Sequence, residues 1–410
     1  MRERVLKAAI AVLLAIIPAL AHGLEARIDR ITYTREGIVR YPSLSEDGRV
    51  LLYVHEAPDE KVPLKVHRSL KVVFLETGEK RTIFRDGEVP APAPFKGRLL
   101  LGSKPPRLSG DGKRATFLLS LPRWRDHFLA VAEIRGKKVR VFELEMEGVP
   151  LKAKGFKGKG WARIVNYATD REGRRIACAV KGDMTEGGLG YPSGIVLLEF
   201  PSMKKRTFLA PRLKEKGWVW EGFPSKPFLG GGWVFAMSPD GEWLLFGAKA
   251  SQEKGDYDLF AMSWEGEIER LTHLHSPYFV LGHIGPARKP VVFYFAGQKT
   301  GTYLLGDSGP EPLFLPSGER LDYEGISGDG RYILYCLRGK GYRYDWRRGT
   351  WEEIFSPSTS GYTRSPYPMS FPSYPAYWSA RFSSWGGERL ILMGRPRGKE
   401  KEELYLLEVR

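Results

Sequence analysis

The sequence predicts an all-β protein, a single β-propeller of four-stranded antiparallel blades. Three observations predict it. A Ser-x-Asp-Gly turn followed by an apolar strand recurs along the chain. The marker glycines of this turn and its variants, at 48, 112, 173, 241, 330 and 387, lie 64, 61, 68, 89 and 57 residues apart, the spacing of a propeller or array. No long apolar pattern of helical period follows residue 23. At 410 residues the chain would ordinarily divide into two or three domains, but blades share one continuous ring of packing.

The best-formed copy runs from Met237 to Thr272. In Ser238-Pro239-Asp240-Gly241, Pro239 presets φ, Asp240 can bond its own backbone, and Gly241 tolerates positive φ. Trp243 to Phe246 is a continuous apolar run, suited to a strand covered on both faces. Asp258 to Met262 is the next strand, Glu265-Gly266 a tight hairpin, and Glu267 to Leu271 alternates like an outer strand with one wet face. Trp233-Val234-Phe235 supplies the first strand.

Taken in order, residues 1–23 read as an export signal and residues 24–410 as the propeller. Arg2, Arg4 and Lys7 precede an apolar run, Ala8 to Leu20, too short to span a bilayer, and Ala19-Leu20-Ala21 fits a cleavage site. Arg27 to Thr34 reads as an edge-type strand. Units 1 and 2 start at Ser45-Glu46-Asp47-Gly48 and Ser109-Gly110-Asp111-Gly112, unit 3 at Asp170-Arg171-Glu172-Gly173. Unit 5 lacks the turn and fills the 89-residue gap with strands at Val291 to Phe295, Thr302 to Leu305 and Pro312 to Leu315. Unit 6 starts at Ser327-Gly328-Asp329-Gly330, and unit 7 at Ser384-Trp385-Gly386-Gly387. That makes seven blades, with six as the alternative. Glu403 to Val409 reads as the third strand of unit 7, which then lacks its outer strand. The amino-terminal strand is expected to supply it and close the ring, because an open ring exposes a sheet edge.

The Ser-Pro-Asp-Gly start and the stretch from Tyr257 through Arg270-Leu271-Thr272 resemble the WD40-like repeats of the TolB-type β-propeller family. The start recurs in about five of seven units; the Arg-Leu-Thr ending is clear once. The resemblance implies the propeller fold. Propellers of that type usually have six blades, where this chain shows seven units.

The net charge is +16, and about +14 without the signal. It implies attraction to anionic partners: envelope polysaccharide, lipid headgroups or acidic proteins, with nucleic acid the least compatible with export. One Asn and two Gln against 27% charged residues indicate a thermophilic source. No second run is long enough for a membrane span, so no span is expected once the signal is removed. Oligomeric state is not legible.

Two stretches combine cations with aromatics. In Lys152 to Arg163, Lys154, Lys157, Lys159, Trp161 and Arg163 are candidate ligand-binding residues, lysines for anions and Trp161 for stacking on sugar rings. In Ser356 to Arg381, Tyr362, Arg364, Tyr367, Tyr374, Tyr377 and Trp378 offer large rigid contact area. The competing readings are a solvated surface loop and a packed crossover. Glu56 to Lys71, Leu121 to Phe128, Lys181 to Pro192 and Lys216 to Gly232 read as further excursions between strands.

Catalytic signals are weak. Gly306-Asp307-Ser308-Gly309-Pro310 resembles a protease nucleophile motif but lies where a hairpin turn belongs. His273-Leu274-His275 has metal-compatible spacing, but no carboxylate or thiol lies within ten residues after it. Cys178 and Cys336 lie in units three blades apart, beyond disulfide reach. No nucleophile elbow, zinc-protease, phosphate-loop or dinucleotide fingerprint is present, so no cofactor or metal is predicted. The recurring turn Asp is read as architecture. The expected function is an exported, non-enzymatic scaffold for a protein or an anionic envelope polymer. The alternative is a lyase or glycoside hydrolase acting on polysaccharide in the central channel.

Overall fold

The computed structural model describes residues 26–32, 37–58, 66–93, 95–122, 124–136, 139–144, 162–182, 193–202, 204–209, 234–249, 257–274, 278–296, 301–313, 322–327, 329–337, 340–355, 389–394 and 403–409. These form antiparallel sheets in chain order. After β1 (Ala26–Arg30), sheet 1 holds β2 (Ile38–Leu44), β3 (Val50–Pro58), β4 (Val66–Phe74) and β5 (Lys80–Arg85). Sheet 2 holds β6 (Leu100–Leu101), β7 (Arg107–Leu108), β8 (Arg114–Leu121), β9 (Trp124–Glu133) and β10 (Val139–Glu143). Sheet 3 holds β11 (Ala162–Thr169), β12 (Arg175–Gly182), β13 (Ser193–Glu199) and β14 (Lys204–Leu209). Sheet 4 holds β15 (Phe235–Met237), β16 (Trp243–Lys249), β17 (Tyr257–Ser263) and β18 (Ile268–Arg270). Sheet 5 holds β19 (Tyr278–Ile284), β20 (Val291–Ala296), β21 (Gly301–Gly306) and β22 (Gly309–Pro312). Sheet 6 holds β23 (Asp322–Ile326), β24 (Tyr332–Leu337), β25 (Lys340–Asp345) and β26 (Thr350–Phe355). The last sheet holds β27 (Arg389–Gly394) and β28 (Glu403–Val409), with β1 paired to β28 from Ala26↔Val409 to Arg30↔Tyr405.

From sheet 1 to sheet 6 consecutive sheets stack face to face, each sharing a buried apolar layer with the next. Leu118, Leu129 and Val131 of sheet 2 pack with Ile164, Tyr167 and Cys178 of sheet 3. Ala168, Ala177 and Leu197 of sheet 3 pack with Phe235, Phe246 and Met262 of sheet 4. Val234, Leu245 and Leu259 meet Ile284 and Phe293 of sheet 5. The first strands of neighbouring sheets also touch, as β2 with β7, β11 with β15, β15 with β19, and β19 with β23, and β2 touches β27, the innermost described strand of the last sheet. They converge on a common axis. Bulges in β2, β11, β19 and β23 bend these inner strands at similar heights. Sheets stacked in chain order around an axis make the fold a β-propeller.

The meander fixes two faces. First-to-second and third-to-fourth turns fall on one face, the turn face. Second-to-third connections and crossovers to the next sheet leave from the other, the loop face.

Several expectations need correction. Leu121 to Phe128 is not an excursion, because β8 runs to Leu121 and β9 starts at Trp124, paired Leu121↔Trp124. Strands β3 and β4 likewise extend to Pro58 and from Val66, which takes up most of the predicted Glu56–Lys71 loop. The outer strand of unit 5 is Gly309–Pro312, earlier than predicted, because Asp307-Ser308 already makes the tight turn and pairs Gly306 with Gly309. The turn of unit 7 lies outside the described residues.

Candidate functional site

The recurring turns build one surface. In units 1, 2, 4 and 6 the Ser hydroxyl donates to the turn Asp at 2.5–2.7 Å. It also accepts the N–H five residues on, at 2.9 Å. In unit 3 Asp170 stands in the Ser position and its carboxylate accepts the Arg174 N–H at 2.8 Å. The marker glycines have φ of 67, 67, 64, 72 and 70° in units 1, 2, 3, 4 and 6. In units 2, 3, 4 and 6 they also touch the preceding turn. A Cβ on Gly112 would meet Val50 at 2.9 Å, and one on Gly241 would meet Asp170 at 2.9 Å.

Backbone bonds then run from turn to turn. Glu46 N–H donates to Gly110 O at 2.8 Å, Gly110 N–H to Arg171 O at 2.5 Å, and Arg171 N–H to Pro239 O at 2.9 Å. Pro239 has no N–H to pass on. The next link is the Asp240 carboxylate, which accepts the Ala287 N–H at 2.9 Å. Unit 5 has replaced its turn with Gly285 to Pro290, in which Ala287 and Arg288 take φ of 50 and 70°. The turn carboxylates are therefore occupied by backbone and hydroxyl donors, as architecture requires.

Two acids of this belt are perturbed. Burial pushes Glu46 up to about 7, against the pull of the Arg171 guanidinium with which it ion-pairs. Burial likewise pushes Asp170 up to about 6. Donors on Asp240 and Asp111 outweigh burial and hold those two below the usual range.

Arginines lock the junctions between sheets. Arg114 and Arg140 of sheet 2 lie over Phe200 of sheet 3 at 5.7 and 5.5 Å. Arg175 and Arg206 of sheet 3 lie over Trp264 of sheet 4 at 5.0 and 5.3 Å and pair with Glu242 and Glu265 at 2.5 and 2.8 Å. Sequence reading missed this pattern; its signal is an aromatic residue at the end of the third strand or just past it, at Phe74, Phe200 and Trp264.

On the loop face, buried carboxylates clamp the crossovers. Asp258 is fully buried; it accepts Thr272 Oγ1 at 3.0 Å, Leu274 N–H at 2.7 Å and Arg270 Nε at 3.0 Å. This explains the Arg-Leu-Thr ending, whose Arg and Thr close on an Asp at the start of the preceding strand. Asp86 does the same between sheets 1 and 2, accepting Leu101 N–H at 2.6 Å and Arg68 N–H at 3.1 Å.

Of the predicted ligand-binding residues, Lys154, Lys157, Lys159, Trp161, Tyr362, Arg364, Tyr367, Tyr374, Tyr377 and Trp378 lie outside the described residues. Arg163 is the second residue of β11, where its backbone pairs with Lys181. The strand ends that flank both stretches are described. Glu143 and Ala162, which bracket one, and Phe355, which precedes the other, lie on the loop face, whereas Arg389 opens the second strand of the last sheet at its turn-face end. His273 is exposed, and no metal-holding group of His, Cys, Asp and Glu occurs among the described residues. Cys178 is a buried free thiol.

The inner strands carry small or apolar side chains two residues before the turn: Ser43, Ala168, Ala236 and Gly325, paired with Leu52, Ala177, Leu245 and Leu334. The exceptions are Arg107, paired with Thr116, and His283, paired with Val292. Arg107 follows a break in the inner strand of sheet 2, where Pro105 and Pro106 separate β6 from β7. Its guanidinium lies over the Tyr167 ring at 5.5 Å. The Tyr167 hydroxyl sits 2.6 Å from Pro105 O and 2.9 Å from Thr116 O, bridging the break.

These features define a repeat β-propeller with a locked turn face and a loop face that carries the variable connections. No protein-family model matches the sequence, and no curated protein matches it. Among solved structures the chain is similar to the Swd1 β-propeller domain of Myceliophteria thermophila, at 11% identity over 94% of this chain and 100% of that one, with a TM-score of 0.48. It is similar to TolB from Acinetobacter baumannii at 13% identity, covering 87% and 79%, with a TM-score of 0.40. It is also similar to dipeptidyl peptidase 4 from Porphyromonas gingivalis at 9% identity, covering 79% and 46%, with a TM-score of 0.43. The propeller assignment rests on the sheets themselves.

Proposed function

We propose that this chain is an exported, non-enzymatic propeller scaffold whose loop face holds a protein or an anionic envelope polymer. One observation carries the reading: the strands that run into the two cation- and aromatic-rich stretches, β10 before 152–163 and β26 before 356–381, end on the same face. The turn acids are meanwhile committed to their own backbone, and the chain keeps a net charge of +16. In this reading residues 1–23 are the export signal, residues 24–410 form seven blades, and the β1–β28 pair closes the ring. No helix among the described residues is long and apolar enough to cross a membrane.

The test is binding of the chain from residue 24 to an immobilised anionic polysaccharide and to envelope proteins, at low and high salt. Binding is expected to weaken steeply as ionic strength rises from about 0.05 to about 0.5 M, because the Debye length shrinks several-fold. Replacing Lys154, Lys157 and Lys159 by Glu together is expected to weaken it at least tenfold. Binding that ignored both salt and the triple substitution would sink the electrostatic reading.

A further inference from the structure

We propose that Arg107 is the oxyanion-binding group of a second site, at the inner end of the junction between sheets 2 and 3. The site lies toward the turn face, away from the loops invoked above, and its chemistry goes beyond that reading.

Position is the first ground. The equivalent place in four other sheets holds Ser43, Ala168, Ala236 or Gly325, because inner strands crowd together near the axis. A guanidinium there departs from the module at a cost in desolvation. The interrupted strand makes room for it, since Pro105 and Pro106 remove two ladder donors and separate β6 from β7.

Charge is the second ground. Among the described residues no carboxylate pairs with Arg107; its partner is the Tyr167 ring. The other arginines that stack on rings at the 3/4 junction, Arg175 and Arg206, each also hold a glutamate. Burial lowers the pKa of Arg107, which nevertheless stays a cation, given the basicity of guanidinium. The charge is thus held in place, part-buried and without a counter-ion among the described residues.

Preorganisation is the third. Tyr167 is 1% exposed and its hydroxyl is anchored on two carbonyls, so the ring fixes the guanidinium from one side and leaves its donor fork for a ligand. A carboxylate or a phosphate satisfies that fork equally, on a small molecule or a chain end entering along the axis.

The experiment uses the chain from residue 24, with D-glucuronate and inorganic phosphate as separate calorimetric probes and a thermal melt alongside. Saturable binding of at least one probe is expected, and which one binds separates carboxylate from phosphate. Arg107→Met is expected to abolish that binding and to raise the melting temperature, because it removes a part-buried charge with no counter-ion. Arg107→Lys, which keeps the charge and loses the fork, is expected to weaken binding at least tenfold. No saturable binding of either probe, unchanged affinity in both variants, or a lower melting temperature in Arg107→Met would overturn the proposal. The last result would make Arg107 a structural strut. Lys154, Lys157 and Lys159 variants should leave this binding unchanged.

Discussion

Asp258→Asn should destabilise the propeller more than any exposed charge change. The wild-type carboxylate is fully buried and takes three aligned donors, from Thr272, Leu274 and Arg270. Asparagine has the same shape, but one acceptor becomes an NH2 group that must face Arg270 or the Leu274 N–H. Removing one partner of a buried pair costs about 3–5 kcal/mol. Arg270 is 26% exposed and can recover some water, which places the cost near the lower bound, about 3 kcal/mol. Unfolding entropy is about 2.1 cal/mol/K per residue, so the melting temperature should fall by roughly 3–4 °C if this 410-residue chain melts as one unit. Near-ultraviolet circular dichroism would follow the melt, with Arg270→Met and the double variant completing a cycle. The double variant should lie at least about 1.5 kcal/mol above the sum of the singles. A melt within about 1 °C of wild type, or an additive cycle, would refute the clamp.

Deleting residues 24–36 removes β1 and its five register pairs with β28, and should lower the melting temperature sharply; an unchanged melt would show that the pairing contributes nothing to closure. Glu46 should make stability pH-dependent. Its folded pKa of about 7 lies above the unfolded value, so its contribution is fully present below about 4.5 and is lost as pH rises through 7. Glu46→Gln should flatten this, leaving the variant about 1–3 kcal/mol less sensitive between pH 5 and pH 8; parallel denaturation curves at the two pH values would contradict it.

Most of the fold was legible because the turn carries its own chemistry. Ser238, Asp240 and Gly241 are each needed by a bond or by a positive φ, so their spacing survives in sequence and marks the blades. Unit 5 was harder to read because Gly285 to Pro290 reaches the same reversal with two non-glycine residues at positive φ, which no turn rule favours. Trp124 to Phe128 was taken for loop since an arginine, an aspartate and a histidine obscure its alternation, yet its backbone pairs with β8. The Asp258 clamp was half visible as Arg270-Leu271-Thr272, whose partner lies 12 residues earlier on another strand. Arg107 was invisible for a different reason. An arginine before a turn looks like ordinary surface charge until the ladder places it among Ser43, Ala168, Ala236 and Gly325.

The fit between marker glycines and their neighbours bears on how such a chain can change. Gly112 lies against Val50 and Ser45, Gly173 against Ser109, Gly241 against Asp170, and Gly330 against Pro286 and Pro290. Blades 2, 3, 4 and 6 are therefore each keyed to the one before and are not interchangeable parts. A blade duplicated or excised by recombination would leave one foreign seam, where a glycine meets a turn it was not shaped for. Mismatch at that seam would oppose any such change in the number of blades.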